Sequence, residues 1–212
     1  LLFRFAPKRT TKIENENFEE EQLENWPSIL VGIWNHPEKQ MIVIQDRKKA
    51  FSDTKAVLKI LMESINNALE SKQLKLYGEP IFHKEAFWSI IEQYDRKIKN
   101  IKFELITPNM ANISGVLSDD LKNLAKGTNT AKTLLEIDAD DDSTLHIDKQ
   151  NKQVGDLVEY ASEGGGNISL KAKGVKKRIQ TANAVKSVEI GEIEISGDNA
   201  ERIAEILKRA LE

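Results

Sequence analysis

Apolar residues at alternate positions predict several β-strands in this chain. The clearest alternation covers residues 98–107, where Ile101, Phe103 and Leu105 are separated by single polar residues. A strand with this pattern buries one face and exposes the other. The same reasoning predicts weaker strands at 74–82, 133–137, 144–147, 167–173 and 185–196.

Two continuous apolar runs predict a leading β-hairpin. Residues 28–34 and 41–45 flank a turn that contains Asn35 and Pro37, which are typical turn residues. Because each run is apolar at consecutive positions, we expect both faces of this hairpin to be covered. Residues 1–5 already show a strand pattern, so we expect the sequence to begin inside a longer protein.

Apolar residues at helical spacing predict five helices. Val57, Leu61 and Ile65 recur at intervals of four, and Ser52 or Asp53 can cap the helix that they form. The other predicted helices cover residues 84–94, 118–126 and 152–162 and the segment that follows residue 198.

The order of these elements predicts an α+β fold rather than a regular βαβ repeat. We expect a mixed or antiparallel sheet with a leading β-hairpin, packed helices and a second, smaller α+β block. A division near 108–117 would separate an N-terminal half, residues 1–110, from a C-terminal half, residues 111–212. The acidic stretch at 13–25 has six glutamates and no base, and is expected to be a solvated loop or helix face.

Composition excludes several classes of protein. The 212 residues include no cysteine, so a disulfide framework, a thiolate zinc site and a cysteine nucleophile are excluded. No apolar run approaches the roughly 18 to 20 residues that a membrane-spanning helix needs. We therefore expect a cytoplasmic globular protein with no membrane insertion.

The charge of the chain is balanced overall but uneven along the sequence. The formal net charge is −3, yet residues 164–188 carry six cations and no acid, while residues 131–163 carry nine acids and three bases. The six cations are Lys171, Lys173, Lys176, Lys177, Arg178 and Lys186. Such a cluster can engage several phosphates, and no aromatic residue lies nearby to stack on bases. We therefore expect these residues to bind the backbone of double-stranded DNA.

Two carboxylate motifs keep a Mg²⁺-dependent nuclease as an alternative. Asp46 and Lys48 follow the predicted strand at 41–45 in a spacing that matches half of a metal-nuclease motif. Glu136 or Asp138 offers a second place for a metal ion. Neither motif identifies a catalytic residue, and no phosphate-binding loop or nucleophile elbow is present. We therefore assign no catalytic residue, no metal ligand and no cofactor.

The acidic run at 136–148 has a second interpretation. Asp138, Asp140 and Asp142 match the first three ligand positions of an EF-hand loop, but the glycine and the final glutamate of that loop are missing. An acidic turn between strands is the simpler expectation. A third functional alternative is a protein-interaction module, in which acidic and basic segments pair between subunits.

The order of three short motifs gives the chain a family resemblance. A hairpin at 26–45 is followed by the segment at 103–109 and then by a Tyr160-to-Gly166 turn before a basic strand. In this layout the chain resembles RexA-like exclusion proteins, a loose group of anti-phage proteins from prophages and bacterial defence islands. The resemblance implies a cytoplasmic, homodimeric, non-enzymatic DNA-binding component of phage exclusion or abortive infection, with a second defence-system protein as a further partner.

Overall fold

The structure, a computed structural model, describes residues 1–36, 39–106, 118–191 and 199–211. It confirms the α+β prediction, with five α-helices and nine strands in those ranges. All the strand pairs described are antiparallel. None of the described helices is long and apolar enough to cross a membrane.

The elements follow one another without a regular repeat. In chain order they are β1 (Leu2–Phe5), β2 (Arg9–Glu14), β3 (Glu20–Asn25), β4 (Ile29–His36), β5 (Lys39–Ile44), α1 (Thr54–Leu69), α2 (Lys84–Gln93), β6 (Ile98–Ile106), α3 (Asp119–Gly127), β7 (Lys132–Asp138), α4 (Lys152–Tyr160), β8 (Gly166–Ala172), β9 (Ile179–Gln180) and α5 (Ala200–Leu211). They form two units, Leu1–Leu76 with Val188–Glu212, and Tyr77–Ser187.

The first unit is built on a three-stranded sheet with β4 at its centre, in the order β1-β4-β5. Ile29 and Val31 of β4 are buried in a cluster with Val57 and other residues of α1. Leu30 points the other way, into a cluster with two residues of α5. The predicted hairpin is confirmed, and both of its faces are covered because different helices lie on them.

Helix α1 begins where its sequence predicts. The side chain of Asp53 accepts a hydrogen bond of 2.7 Å from the backbone N–H of Ala56, which satisfies one of the unpaired donors of the first turn. The apolar stripe then buries Val57 and Leu61 against the sheet. The cap and the stripe together fix both the start and the rotation of the helix.

The acidic stretch at 13–25 is exposed as expected, but it forms strands rather than a loop or a helix face. Strand β2 carries Arg9 and Lys12 and ends at Glu14, whereas the charged residues of β3 are all glutamates. Their antiparallel register places Lys12 opposite Gln22 and Glu14 opposite Glu20. The ammonium of Lys12 lies 2.6 Å from a carboxylate oxygen of Glu20, and Lys8 pairs with Glu24. Pairing between the two charged segments explains why a hairpin forms here.

The second unit is a four-stranded sheet in the order β7-β6-β8-β9. Ile101, Phe103 and Leu105 of β6 enter a buried core together with Phe87 of α2 and Val158 of α4. The alternation that predicted β6 is therefore confirmed as far as Ile106. The rest of that prediction, residue 107, lies outside the described residues.

The other face of this sheet is polar. Lys102 of β6 lies there, with Glu136 opposite it on β7 and Ser169 opposite it on β8. Glu104, two residues further along β6, faces Leu134 in the same way. Because side chains alternate between the faces of a strand, this face collects charged residues of β7, β6 and β8.

Residues 74–82 were predicted as a strand and do not form one. The side chain of Asn66 bonds both backbone groups of Leu76, donating to its carbonyl at 3.1 Å and accepting from its N–H at 2.7 Å. Phe82 makes a single bridge to Val185. Side-chain hydrogen bonds replace the backbone ladder here, and Gly78 and Pro80 disfavour a strand.

Two further strand predictions fail in the described residues. The segment at 144–147 packs against the core through Leu145 and Ile147. The backbone N–H of Leu145 donates to the carbonyl of Ile98 at 2.8 Å, but this single bond does not extend into a ladder of strand hydrogen bonds. Of the predicted strand at 185–196, the described part contributes only the bridge at Val185. Its remainder, residues 192–196, lies outside the described residues.

The boundary between the two units along the chain differs from the predicted one. Strand β6 pairs with β7 on one side and β8 on the other, so one sheet joins segments from both sides of residues 108–117. Residues 107–117 themselves lie outside the described residues. The division into 1–110 and 111–212 is therefore replaced by a second unit that begins at Tyr77 and a first unit that takes in both ends of the chain.

The three consecutive glycines at residues 164–166, which lead into β8, are required by backbone conformation and by close packing. Gly164 has φ of +89°, which favours glycine. A Cβ atom on Gly165 would overlap the ring of Tyr160, and one on Gly166 would overlap the backbone carbonyl of Glu104. The turn therefore sets how closely β8 approaches β6.

Replacing Gly166 by alanine should lower the free energy of unfolding by about 3 kcal/mol, because the backbone of β6 cannot move aside without opening the sheet. Denaturant unfolding followed by circular dichroism measures this. Gly155→Ala in α4 is the matched control, since its added Cβ meets nothing within 4 Å. The control should raise stability by up to about 1 kcal/mol. Equal losses in both variants would contradict this account of the glycines.

Candidate nucleic-acid interface

The predicted lysines lie on and beside the turn that joins β8 to β9. The N–H of Val175 donates to the carbonyl of Ala172 at 3.1 Å, and Gly174 takes φ of +83° to reverse the chain. Lys173, Lys176 and Lys177 are exposed on this turn. The local sequence thus folds into a short exposed loop that carries three ammonium groups.

The sheet register adds cations that are distant in sequence. Lys171 lies on the polar face opposite Asn100, at the start of β6. The N–H of Lys173 donates to the carbonyl of Lys97 at 2.7 Å. Arg96 precedes Lys97, and both side chains are exposed. These contacts bring two segments, more than 70 positions apart, to the same end of the sheet.

We define the basic end by six exposed cations at this end of the sheet. They are Arg96, Lys97, Lys171, Lys173, Lys176 and Lys177. The sequence prediction missed the first two, because only the antiparallel pairing of β6 with β8 brings them next to the turn. The one available signal was the three cations among residues 96–99, at the start of a predicted strand.

Lys99 also lies at this end, but its ammonium group is used within the fold. It donates to the carbonyls of Asp140 at 3.3 Å and Asp141 at 2.6 Å, and also to that of Ser143. It therefore holds the acidic turn that follows β7. A surface cleft of about 420 Å³ lies beside it, lined by Arg96, Lys99, Lys173 and residues 141–144.

Arg178 was predicted to bind nucleic acid, but its guanidinium group is bonded within the sheet. It donates to the amide oxygen of Asn100 at 2.6 Å and forms an ion pair of 3.2 Å with Glu136. Asn100, only 4% exposed, in turn donates to Glu136 and Asp138, both at 2.7 Å. Arg178 thus links β9 to β6 and β7, and we remove it from the candidate interface.

Lys186 was predicted to belong to the same cluster and lies elsewhere in the second unit. Its backbone N–H donates to the carbonyl of Ile81 at 2.7 Å. Phe82, the next residue after Ile81, donates its N–H to the carbonyl of Ser162, which lies shortly before the first residue of β8. The basic end lies where β8 finishes. The seven residues of β8 separate the two places by roughly 20 Å, so Lys186 is not part of the basic end.

The acidic run does not assemble a metal site within the described residues. No group of three or more histidine or carboxylate side chains there could hold a metal ion. Glu136 and Asp138 are close together, but both carboxylates accept hydrogen bonds from Asn100, and Glu136 also pairs with Arg178. These two carboxylates therefore have a structural role, because their contacts join β7 to β6 and β9.

The other nuclease motif is an exposed ion pair. Asp46 and Lys48 lie 3.1 Å apart on the connection between β5 and α1, with more than half of each side chain exposed. Lys48 also donates to the carbonyl of Ser52 at 3.2 Å, and Arg47 donates to that of Ser28 at 2.8 Å. These contacts order the connection, and they give no support to the nuclease alternative.

Several pKa shifts in the second unit have structural causes. A hydrogen bond from Lys132 lowers the pKa of Glu104, whereas burial raises the pKa of Glu79. Burial also raises the pKa of the Tyr160 phenol, which donates to the carbonyl of Ile106. The phenol therefore stays protonated and acts as a structural donor.

Comparisons with known proteins add no family assignment. No protein-family model, no curated protein and no solved structure matches the chain. The resemblance to RexA-like exclusion proteins therefore stays a prediction.

The neighbouring residues Lys177 and Arg178 should differ in their effect on stability. Arg178→Gln should lower the free energy of unfolding by about 1 kcal/mol, because it removes a partly exposed ion pair and a hydrogen bond to a buried amide. Lys177→Gln should leave it unchanged within about 0.5 kcal/mol. Thermal and denaturant unfolding of both variants measures the difference, and equal stability would contradict the role given to Arg178.

Proposed function

We propose that this chain binds the phosphate backbone of double-stranded DNA through the basic end of its second unit. The observation that carries the proposal is that its lysines have no carboxylate partner within the described part of the chain. Lys97, Lys171, Lys173, Lys176 and Lys177 make no ion pair with any residue in the described ranges. Their charge is available to a ligand from solution.

Lysines elsewhere in the same unit support this interpretation by contrast. Lys84 pairs with Glu159 at 2.8 Å, Lys132 with Glu104 at 2.7 Å, and Lys149 with Glu92 at 2.5 Å. The second unit therefore places a carboxylate beside several of its exposed lysines. Among the residues that the structure describes, the lysines of the turn between β8 and β9 have no such partner, which leaves a concentrated positive field.

The chemistry of the basic end favours phosphates over bases. No aromatic residue occurs between residues 161 and 190 or between 95 and 100, so the segments offer no surface on which a base could stack. Flexible ammonium groups on an exposed turn suit phosphate oxygens, which carry no sequence information. We therefore propose binding that depends weakly on DNA sequence and strongly on salt.

The acidic turn beside the basic end restricts how DNA can approach. Lys99 holds residues 140–143 at the same end of the sheet, next to β7, while the lysine turn follows β8. Like charges repel, so a polyanion would avoid the β7 side and approach from the β8 and β9 side.

A place in phage exclusion rests on the resemblance alone, and we propose no catalytic step.

Removing three charges from the turn tests the proposal. The variant Lys173→Gln, Lys176→Gln, Lys177→Gln should bind a labelled duplex at least tenfold more weakly at about 50 mM salt. The slope of log affinity against log salt should fall in magnitude by about 2.7, because about 0.9 counterion is released for each phosphate neutralised. Fluorescence anisotropy across a salt series measures both quantities.

A matched control removes the same charge elsewhere. Lys59→Gln, Lys72→Gln, Lys186→Gln alters three exposed lysines, one of them the lysine that the structure separates from the basic end. Its affinity and salt slope should match those of the unmodified protein. Equal weakening in the two triple variants, or no binding at low salt, would contradict the proposal.

A further inference from the structure

Strand β7 leaves one backbone edge of the second unit's sheet without a strand partner in the described residues. It stands first in the order β7-β6-β8-β9 and pairs on one side only, with β6. Its seven residues make a long edge, whereas β9 closes the opposite edge with two. An edge of this length presents a row of backbone donors and acceptors to which another strand can add.

The side chains of β7 do little to block such an addition. Leu134 is 55% exposed and Ile137 is 37% exposed, and the strand contains no proline or glycine. Other proteins protect long edges with proline, bulges or central lysines. Strand β5, the comparable edge of the first unit, has no large apolar residue among the exposed ones. Strand β7 is therefore the better candidate for an interface.

The sequence of β7 is complementary to itself in an antiparallel arrangement. With a two-fold axis through Leu135, Lys132 of one copy faces Asp138 of the other, and the same pair recurs by symmetry. Leu134 then faces Glu136 on the polar face. On the core side, residues 133 and 137 face each other, and each carries methyl groups. No like charges oppose each other in this register.

We propose that a second copy of this chain pairs with the first through β7, antiparallel and centred on Leu135. The result is one continuous eight-stranded sheet. Opposite charges at the two ends of the strand select the register, and the central backbone groups gain partners. Within one copy these two side chains contact β6, Lys132 through Glu104 and Asp138 through Asn100, both at 2.7 Å, so pairing across the interface requires both to turn toward the open edge.

Two substitutions at one exposed position test the proposed register. In the proposed register residue 134 of each copy faces Glu136 of the other, so the contact occurs twice. Leu134→Glu would therefore create two pairs of like charge across the interface, whereas Leu134→Lys would create two pairs of opposite charge. We expect the glutamate variant to weaken the dimer about tenfold or more, and the lysine variant to keep it within about threefold. Sedimentation velocity over a concentration series measures both, and Leu124→Glu on α3, 54% exposed, is the control for surface charge.

Site-specific crosslinking tests the centre of the interface without relying on charge. The chain has no cysteine, so a single Leu135→Cys variant can form a disulfide only between copies. Residues directly opposite in an antiparallel pair are close enough for that bond. We expect rapid formation of a crosslinked dimer for Leu135→Cys and none for Leu124→Cys under mild oxidation.

These experiments use no DNA, so their failure is separate from failure of the proposed function. A dimer that responds to Leu134→Glu and crosslinks at residue 135 supports the proposal. A protein that is monomeric at every concentration overturns it, and indicates that another part of the chain covers the edge. A dimer that is indifferent to both substitutions at residue 134 also overturns it, since the interface then lies elsewhere. Unfolding curves for each variant exclude loss of the fold as the cause.

Discussion

The pairing of β6 with β8 is the interaction on which the second unit depends. Gly166 allows the backbone of β8 to approach Glu104 closely enough to begin the ladder, and that ladder continues to the far end of the strand, where Lys171 faces Asn100. The same register places Lys97 beside Lys173. The core side chains of β6 and the exposed cations at its start are therefore positioned by one set of backbone contacts.

This register also divides the cations of the unit into two groups. Arg178 and Lys99 hydrogen-bond to neighbouring residues of the unit, Arg178 to the strands beside it and Lys99 to the acidic turn. The lysines of the turn after β8 extend into solvent. Charge that is compensated inside the fold contributes to stability, while charge that is not compensated produces an external field. The proposed function depends on the second group alone.

Much of the fold could be predicted from local patterns. The alternation in β6, the apolar runs of β4 and β5 and the capped stripe of α1 each reflect burial within one element, so sequence spacing was enough. The absence of a strand at 74–82 could not be predicted, because the side-chain amide of Asn66, ten residues earlier, bonds both backbone groups of Leu76 in place of a partner strand. The acidic stretch at 13–25 became a strand for a related reason, since its partner is a basic segment whose charge favours pairing.

The candidate site was predictable in part for the same physical reasons. A cluster within a few residues, such as the turn lysines, is visible in the sequence, whereas Arg96 and Lys97 join it through a long-range register.

The account is tested most directly by titrating isotope-labelled protein with a short duplex while amide chemical shifts are recorded. Shifts at residues 96–97 and 171–177 together, with none at Lys186, are the predicted result. Shifts confined to other surfaces, or an interface that includes Lys186 but not Arg96 and Lys97, would contradict it.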